Sequence, residues 1–137
     1  MHKSRLAGFI IDCETDDLDG AAEFWAGALG APPKHAADLS KSPYVELNMQ
    51  ANEPYAEVQK VDHPSRVHID IEADNIEAEV ARLEKLGAVR IASIRGFVVL
   101  EAPTGQRFCV VPVVREGFAT DANTWNENQE SGEDNDQ

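Results

Sequence analysis

Two stretches of the chain show the same pattern. Apolar residues first recur at every second position, as in a strand, and then at helical spacing. In the second stretch, residues 67–72 alternate apolar and polar side chains, which is typical of a half-buried strand with one packed face and one polar face. Asp74 offers an N-cap carboxylate with Glu77 as its capping-box partner, and apolar residues at helical spacing follow until Gly87. The pattern predicts a strand followed by a capped helix.

The first stretch repeats this order near the N-terminus. Two copies indicate a duplicated module whose halves pack about a pseudo-twofold axis, and chance similarity of two strand-helix units is the alternative. The matched pairs are Ile11 with Ile69, Asp12 with Asp70, Glu14 with Glu72, Asp16 with Asp74, Leu18 with Ile76, and Gly30 with Gly87.

Each half is predicted to continue as three strands after its helix, although the passage over 32–42 has no clear period. Residues 1–7 are predicted to be a polar lead-in, and Trp25 is predicted to lie in the core because the apolar set of the first helix is wider than one stripe. The predicted strands span residues 8–15, 32–42, 44–49, 55–61, 67–72, 89–94, 97–100 and 108–114.

Composition limits the class of protein. A chain of 137 residues with 42% hydrophobic residues suits one globular core, and a net charge of −13 argues against nucleic acid and anionic membrane surfaces as partners. We expect a cytoplasmic protein, since no apolar run resembles a membrane span or signal peptide, and we expect Cys13 and Cys109 to be free thiols. The predicted organisation is one domain at 1–116, with module one at 6–61, a linker at 62–65, module two at 66–114 and a flexible acidic tail at 117–137.

Three motifs in this order resemble the glyoxalase/bleomycin resistance/dioxygenase superfamily, also called the vicinal oxygen chelate superfamily, in its glyoxalase-like branch. They are the DLxxAxxFWxxxLG-like run that ends at Gly30, the RVHIDI strand, and the APTGQRF turn before the last strand. The resemblance implies an α+β fold of two tandem βαβββ modules, whose mixed sheet forms a U-shaped cup with the helices outside. It also implies a ligand inside the cup and a homodimer.

The resemblance further implies a divalent metal, Zn, Ni, Mn or Fe(II), held by His, Gln or Glu residues of the first and last strands. His68 stands at the first-strand ligand position of module two, but its counterpart in module one is Ile10, which cannot bind metal. Cys109 replaces the usual final-strand ligand, and module one offers Gln59 or, as a weaker choice, Glu57. The metal candidates are therefore His68, Gln59 and Cys109, and no bound metal is expected.

Two functions follow as hypotheses. The favoured one is a metal-free protein that binds a small molecule, as the bleomycin-sequestering members do, and the alternative is a metal-dependent lyase, isomerase or dioxygenase, similar to lactoylglutathione lyase, that uses His68. The catalytic candidates are His68 and Cys109, for which a structural histidine and a small buried thiol are the alternatives. The expected ligand-binding residues are Tyr44, Glu46, Gln59, His68, Asp70 and Cys109.

Overall fold

The computed structural model describes residues 1–34 and 43–126, and it shows an α+β protein with parallel and antiparallel strand pairs. Among the described residues, no helix has the length and apolar character that a membrane crossing requires. The strands are β1 (His2–Glu14), β2 (Tyr44–Leu47), β3 (Tyr55–Val61), β4 (Arg66–Ala73), β5 (Val89–Ile94), β6 (Phe97–Glu101), β7 (Arg107–Pro112) and β8 (Asn123–Trp125); the helices are α1 (Leu18–Leu29), α2 (Ile76–Lys85) and α3 (Phe118–Asp121).

One compact unit comprises Gly8–His68. Its strands follow the order β2-β3-β1, with β3 parallel to β1 and antiparallel to β2. Helix α1 covers one face of these strands, where Leu18 and Val58 belong to a buried apolar cluster, and Trp25 packs against this cluster while remaining partly exposed. The opposite face of the three strands carries polar side chains.

The other compact unit joins Met1–Ala7 to the chain from Ile69 onward. Its strands follow the order β4-β7-β6-β5, with β4 parallel to β7, and β8 pairs with the beginning of β1. Val80 and Leu83 of α2 pack with Leu100 and Val110 in a second buried apolar cluster. Gly87 has a φ of 113° directly after α2, which confirms the predicted glycine stop.

The pairing of the strands agrees with the duplicated pattern. In each unit the first strand is parallel to the last, and Asp12 lies opposite Gln59 as Asp70 lies opposite Cys109. Module two has the predicted order of one strand, one helix and three strands. The predicted strand over 32–42 falls mainly outside the described residues, so module one shows two strands after its helix.

Three boundaries differ from the sequence predictions. β1 begins at His2 rather than at residue 8, because His2 and Ser4 are buried and the strand pairs there with β8. The segment 117–126, predicted as part of the flexible tail, contains α3 and β8. Asn75 rather than Asp74 caps α2 through Ala78 N–H, because Asp74 Oδ1 accepts from Lys3 N–H at 2.8 Å.

The two faces of β4 also differ from the expected pattern. The apolar residue Val67 is 56% exposed, whereas Asp70 is buried and Glu72 is 0% exposed. Glu72 is satisfied by its environment, since its carboxylate accepts from Arg5 Nε at 2.7 Å and from the backbone N–H groups of Val114 and Arg115. Charge-assisted hydrogen bonds of this kind offset the cost of burying a carboxylate.

Candidate functional site

The register of three strands brings several predicted ligand-binding residues together on one face of the unit Gly8–His68. Tyr44 of β2 lies opposite Gln59 of β3, which lies opposite Asp12 of β1. One row further along, Glu46 lies opposite Glu57, and Glu57 lies opposite Ile10. Partners in register share a face of the sheet, so the side chains of these two rows form one surface. We call this surface, comprising residues 10, 12, 44, 46, 57 and 59, the polar face.

Asp12 and His68 form a hydrogen-bonded pair at this face. His68 Nδ1 lies 2.8 Å from Asp12 Oδ2, and Arg66 Nε lies 3.5 Å from the same oxygen. With the carboxylate ionised, His68 Nδ1 carries the proton and donates it, which leaves Nε2 as the acceptor or metal-binding atom of the ring. Asp12 therefore fixes both the orientation and the tautomer of the imidazole.

The Asp12 carboxylate is only partly satisfied. Its residue is 2% exposed, and among the described residues its second oxygen, Oδ1, has no hydrogen-bond partner. A buried acceptor without a donor costs about 1–3 kcal/mol relative to a satisfied one.

The other two predicted residues, Asp70 and Cys109, lie directly opposite each other in the parallel pair β4–β7. Both are buried. The Asp70 carboxylate and the Cys109 thiol, one of the two catalytic candidates, are thus possible metal-binding groups on neighbouring strands of one unit, whereas His68 belongs to the other unit.

This donor set fits a metal only in part. Carboxylate and thiolate are both ligands of Zn²⁺, but catalytic zinc sites take three ligands from the protein. Ile10, however, is buried and contributes no ligand atom at the position that the resemblance implies for module one. Gln59, the remaining metal candidate, belongs to the row of Asp12 and Tyr44. The complete ligand set implied by the resemblance is thus not present.

Sequence reasoning missed two features of this region. The burial of Asp12 and its bond to His68 depend on residues far apart in the chain, and strand alternation gave no sign of either. The second feature is Arg66, whose place two residues before His68 on the same strand puts both side chains on one face. The repeat of a carboxylate at positions 12 and 70 is the sequence signal that points to Asp12.

The other thiol of the chain, Cys13, lies on the face that packs against α1. Burial, followed by the neighbouring negative charge of Asp12, raises the pKa of the Cys13 thiol above its ordinary value. The thiolate is therefore less populated at neutral pH than for an exposed cysteine, and Cys13 is poorly suited to nucleophilic chemistry.

Comparisons with known proteins agree with this architecture. The sequence profile of the glyoxalase-like domain family matches residues 8–111. No curated protein matches the chain. Among solved structures, methylmalonyl-CoA epimerase from Streptomyces coelicolor, as a variant in complex with 2-nitronate-propionyl-CoA, is similar with a TM-score of 0.56 and 15% identity, covering 80% of this chain and 98% of that one.

Two further solved structures are similar to the same extent. Methylmalonyl-CoA epimerase from Mycobacterium tuberculosis has a TM-score of 0.58 and 15% identity, covering 80% of this chain and 88% of that one. A hypothetical protein from Bacillus halodurans has a TM-score of 0.58 and 15% identity, covering 83% of this chain and 97% of that one. At this identity the likeness shows the fold alone. With the profile match over most of its length, the chain belongs to the glyoxalase-like domain family of the vicinal oxygen chelate superfamily.

Proposed function

We propose that this glyoxalase-like protein binds a small organic molecule at the polar face, without the divalent metal that the family resemblance implies. The observation that carries the proposal is the register of Tyr44, Gln59 and Asp12 across three adjacent strands. A phenol, an amide and a carboxylate on one face are the kind of polar groups that orient a ligand in a binding site.

The absence of a ligand atom at Ile10 supports the metal-free part of the proposal. Ile10 belongs to the polar face, and its buried hydrocarbon side chain offers apolar contact to a ligand where a metal site requires a donor. Arg66 and His68 already face the Asp12 carboxylate, so its charge is compensated by the protein's own groups.

Each polar residue has a definite role in this proposal. Asp12 holds His68 so that Nε2 accepts a hydrogen bond from the ligand. The Gln59 side-chain amide has both donor and acceptor groups, and the Tyr44 hydroxyl has both as well. Glu46 extends the contacts along β2, whereas Asp70 and Cys109, the remaining predicted ligand-binding residues, belong to the other unit.

A thermal-shift screen of the purified protein against metabolites and antibiotics tests this function. A ligand at 100 times its Kd stabilises the native state by about 2.7 kcal/mol, which raises the Tm by several degrees. The shift should be lost in Gln59→Leu and retained in the matched control Gln50→Leu, which changes an exposed glutamine outside the polar face. A compound whose shift is equal in both variants would show that it binds elsewhere.

A metal-dependent enzyme is the second candidate function, and the parallel pairing of Asp70 with Cys109 favours it, because both side chains carry metal-binding atoms. A divalent ion held by these residues would supply Lewis-acid chemistry for a lyase, isomerase or dioxygenase reaction. Solved relatives include a methylmalonyl-CoA epimerase in complex with methylmalonyl-CoA, which makes an isomerase acting on a thioester the most specific form of this candidate. Stoichiometric metal in the purified protein, lost in His68→Ala, would favour this function over the first.

The homodimer, the cytoplasmic location and the single domain at 1–116 remain proposals that rest on the family resemblance and the composition. Light scattering coupled to size-exclusion chromatography tests the first of these directly. A mass near 30 kDa, twice the 15.0 kDa of the chain, is the expected result.

A further inference from the structure

A cavity lies at the edge of the sheet where the parallel strands β1 and β3 both end. Glu14 and Val61, the last residues of these strands, are partners in register, and both line the cavity. Its volume of about 670 Å³ is typical of sites that bind small molecules. All of its lining residues belong to the unit Gly8–His68, and none belongs to the polar face.

Hydrogen bonds hold the walls of this cavity to the ends of the two strands. The backbone N–H of Glu14 donates to Ser65 Oγ at 2.9 Å, which joins the segment after β3 to the end of β1. The backbone N–H of Lys60 donates to the Pro43 carbonyl at 2.7 Å, which joins the segment before β2 to β3. Walls fixed in this way suit a binding site that is formed before its ligand arrives.

Charges of both signs line the cavity without compensating one another. Glu14, Asp16 and Asp62 contribute carboxylates, and Lys60 contributes an ammonium group. Within the part of the chain that the structure describes, none of these side chains forms an ion pair or a hydrogen bond. A ligand with one charge is attracted by one kind of group and repelled by the other. A ligand with a positive and a negative group can contact both kinds at once.

We propose that this cavity is a second binding site and that its ligand is a small zwitterion with an amine and a carboxylate group. The amine donates charge-assisted hydrogen bonds to the carboxylates of the cavity, and the ligand carboxylate accepts from the Lys60 ammonium group. Each contact at an exposed site is weak by itself, so the selectivity for a zwitterion comes from making both contacts together. The inference goes beyond the proposed function, because the cavity shares no residue with the polar face.

NMR titrations of the ¹⁵N-labelled full-length protein test both the ligand class and the place of binding. The probes share one carbon chain: 5-aminopentanoate carries both charges, pentylamine carries only the positive charge and pentanoate carries only the negative charge. We expect 5-aminopentanoate to bind at least fivefold more tightly than either of the others. It should shift the amide signals of residues 14–16 and 60–63.

Lys85→Gln is the matched control for Lys60→Gln, since Lys85 is exposed at the end of α2 and its loss changes the net charge by the same amount. Lys60→Gln should weaken the binding of 5-aminopentanoate at least fivefold without weakening that of pentylamine, and Lys85→Gln should leave both unchanged. Equal losses in the two variants would overturn the inference, because the attraction would then come from the overall charge. Equal affinity for 5-aminopentanoate and pentylamine would also overturn it.

The carboxylates and the place of binding have their own variants. Glu14→Gln combined with Asp62→Asn should weaken the binding of 5-aminopentanoate at least threefold, and an unchanged affinity would contradict the role of these carboxylates. Gln59→Leu, which changes the polar face, should leave the affinity unchanged. A loss in Gln59→Leu, or the lack of shifts at residues 14–16 and 60–63, would show that the cavity is not the site; neither result bears on ligand binding at the polar face by other compounds.

Discussion

Replacing Trp125 by alanine should destabilise the protein, although Trp125 lies in the segment that the sequence assigned to a flexible tail. Its indole Nε1 donates to Ser4 Oγ at 2.9 Å, and the Arg82 guanidinium lies 3.8 Å from the centroid of its ring system. The hydrogen bond contributes about 1 kcal/mol and the cation–π contact about 0.5–2 kcal/mol. We therefore expect a loss of about 2 kcal/mol in the free energy of unfolding.

For a domain of this size, 1 kcal/mol corresponds to about 3–5 °C in Tm, so Trp125→Ala should lower the Tm by about 6–10 °C in differential scanning calorimetry. Trp125→Phe keeps a ring over which Arg82 can lie and removes the N–H donor, so about half of this loss is expected. Ser4 also hydrogen-bonds the Glu79 carboxylate, so Ser4→Ala combined with Trp125→Phe should cost little more than Ser4→Ala alone. A Tm within 1 °C of the natural protein in Trp125→Ala would refute the docking of β8 on β1.

Three other predictions concern buried or titratable groups. Arg5→Ala should cost about 3–5 kcal/mol in urea unfolding, because it leaves the fully buried Glu72 carboxylate without its ion-pair partner; a loss below 1 kcal/mol would contradict that role. Burial raises the pKa of Glu79, but hydrogen bonds from Arg82 and His2 outweigh this effect, and the net result is a lowered pKa. The ionised Glu79 therefore stabilises the folded state above the ordinary carboxyl pKa, and this stabilisation is lost as the pH falls through the lowered pKa of the folded state. Stability should thus fall less steeply below pH 4.5 in the Glu79→Gln variant, and an identical pH profile would refute this. Cys13 should react with iodoacetamide at pH 7.5 at least tenfold more slowly than an exposed thiol, since its pKa is raised. Peptide mapping of the labelled protein measures the rate, and labelling as fast as that of free cysteine would contradict this prediction.

The sequence predicted the strands and helix ends that depend on residues close together in the chain. The sequence predicted the strands over 55–61 and 89–94 with their observed limits. In β3 the predicted alternation of buried and more exposed side chains is observed, whereas β5 is exposed at every residue but Ala92. Gly30 and Gly87 ended the two helices as expected, since each has a positive φ that glycine adopts without strain. The repeat also predicted that each module begins with a strand followed by a helix.

Features that depend on distant partners were not predictable in the same way. Residues 2–4 form a strand because residues 123–125 pair with them, and neither segment has a strong pattern of its own. The side of β4 that carries Asp70 and Glu72 is buried because Arg5 satisfies the Glu72 carboxylate. The periodicity of the sequence identified the two faces of the strand but not which of them is covered. Side-chain pairing decided the burial here, and a single sequence does not show such pairing.

The candidate site was predictable to a similar degree. Strand alternation placed Tyr44 and Gln59 on polar faces, and the structure shows them directly opposite each other. The bond between Asp12 and His68 required the three-dimensional arrangement, and it changes the role of His68 from a lone candidate ligand to an oriented hydrogen-bonding group. Whether that group acts on an organic ligand or on a metal is the difference between the two proposed functions.

Titration of a ligand from the thermal-shift screen into chelator-treated protein tests the central proposal most directly. The protein is treated with EDTA, dialysed, checked for residual metal by mass spectrometry, and titrated calorimetrically alongside an untreated sample. The proposal of metal-free binding at the polar face predicts the same Kd in both samples and at least tenfold weaker binding in Gln59→Leu, a loss of about 1.4 kcal/mol or more. Binding that disappears after chelation and returns with added Zn²⁺ or Mn²⁺ would contradict it.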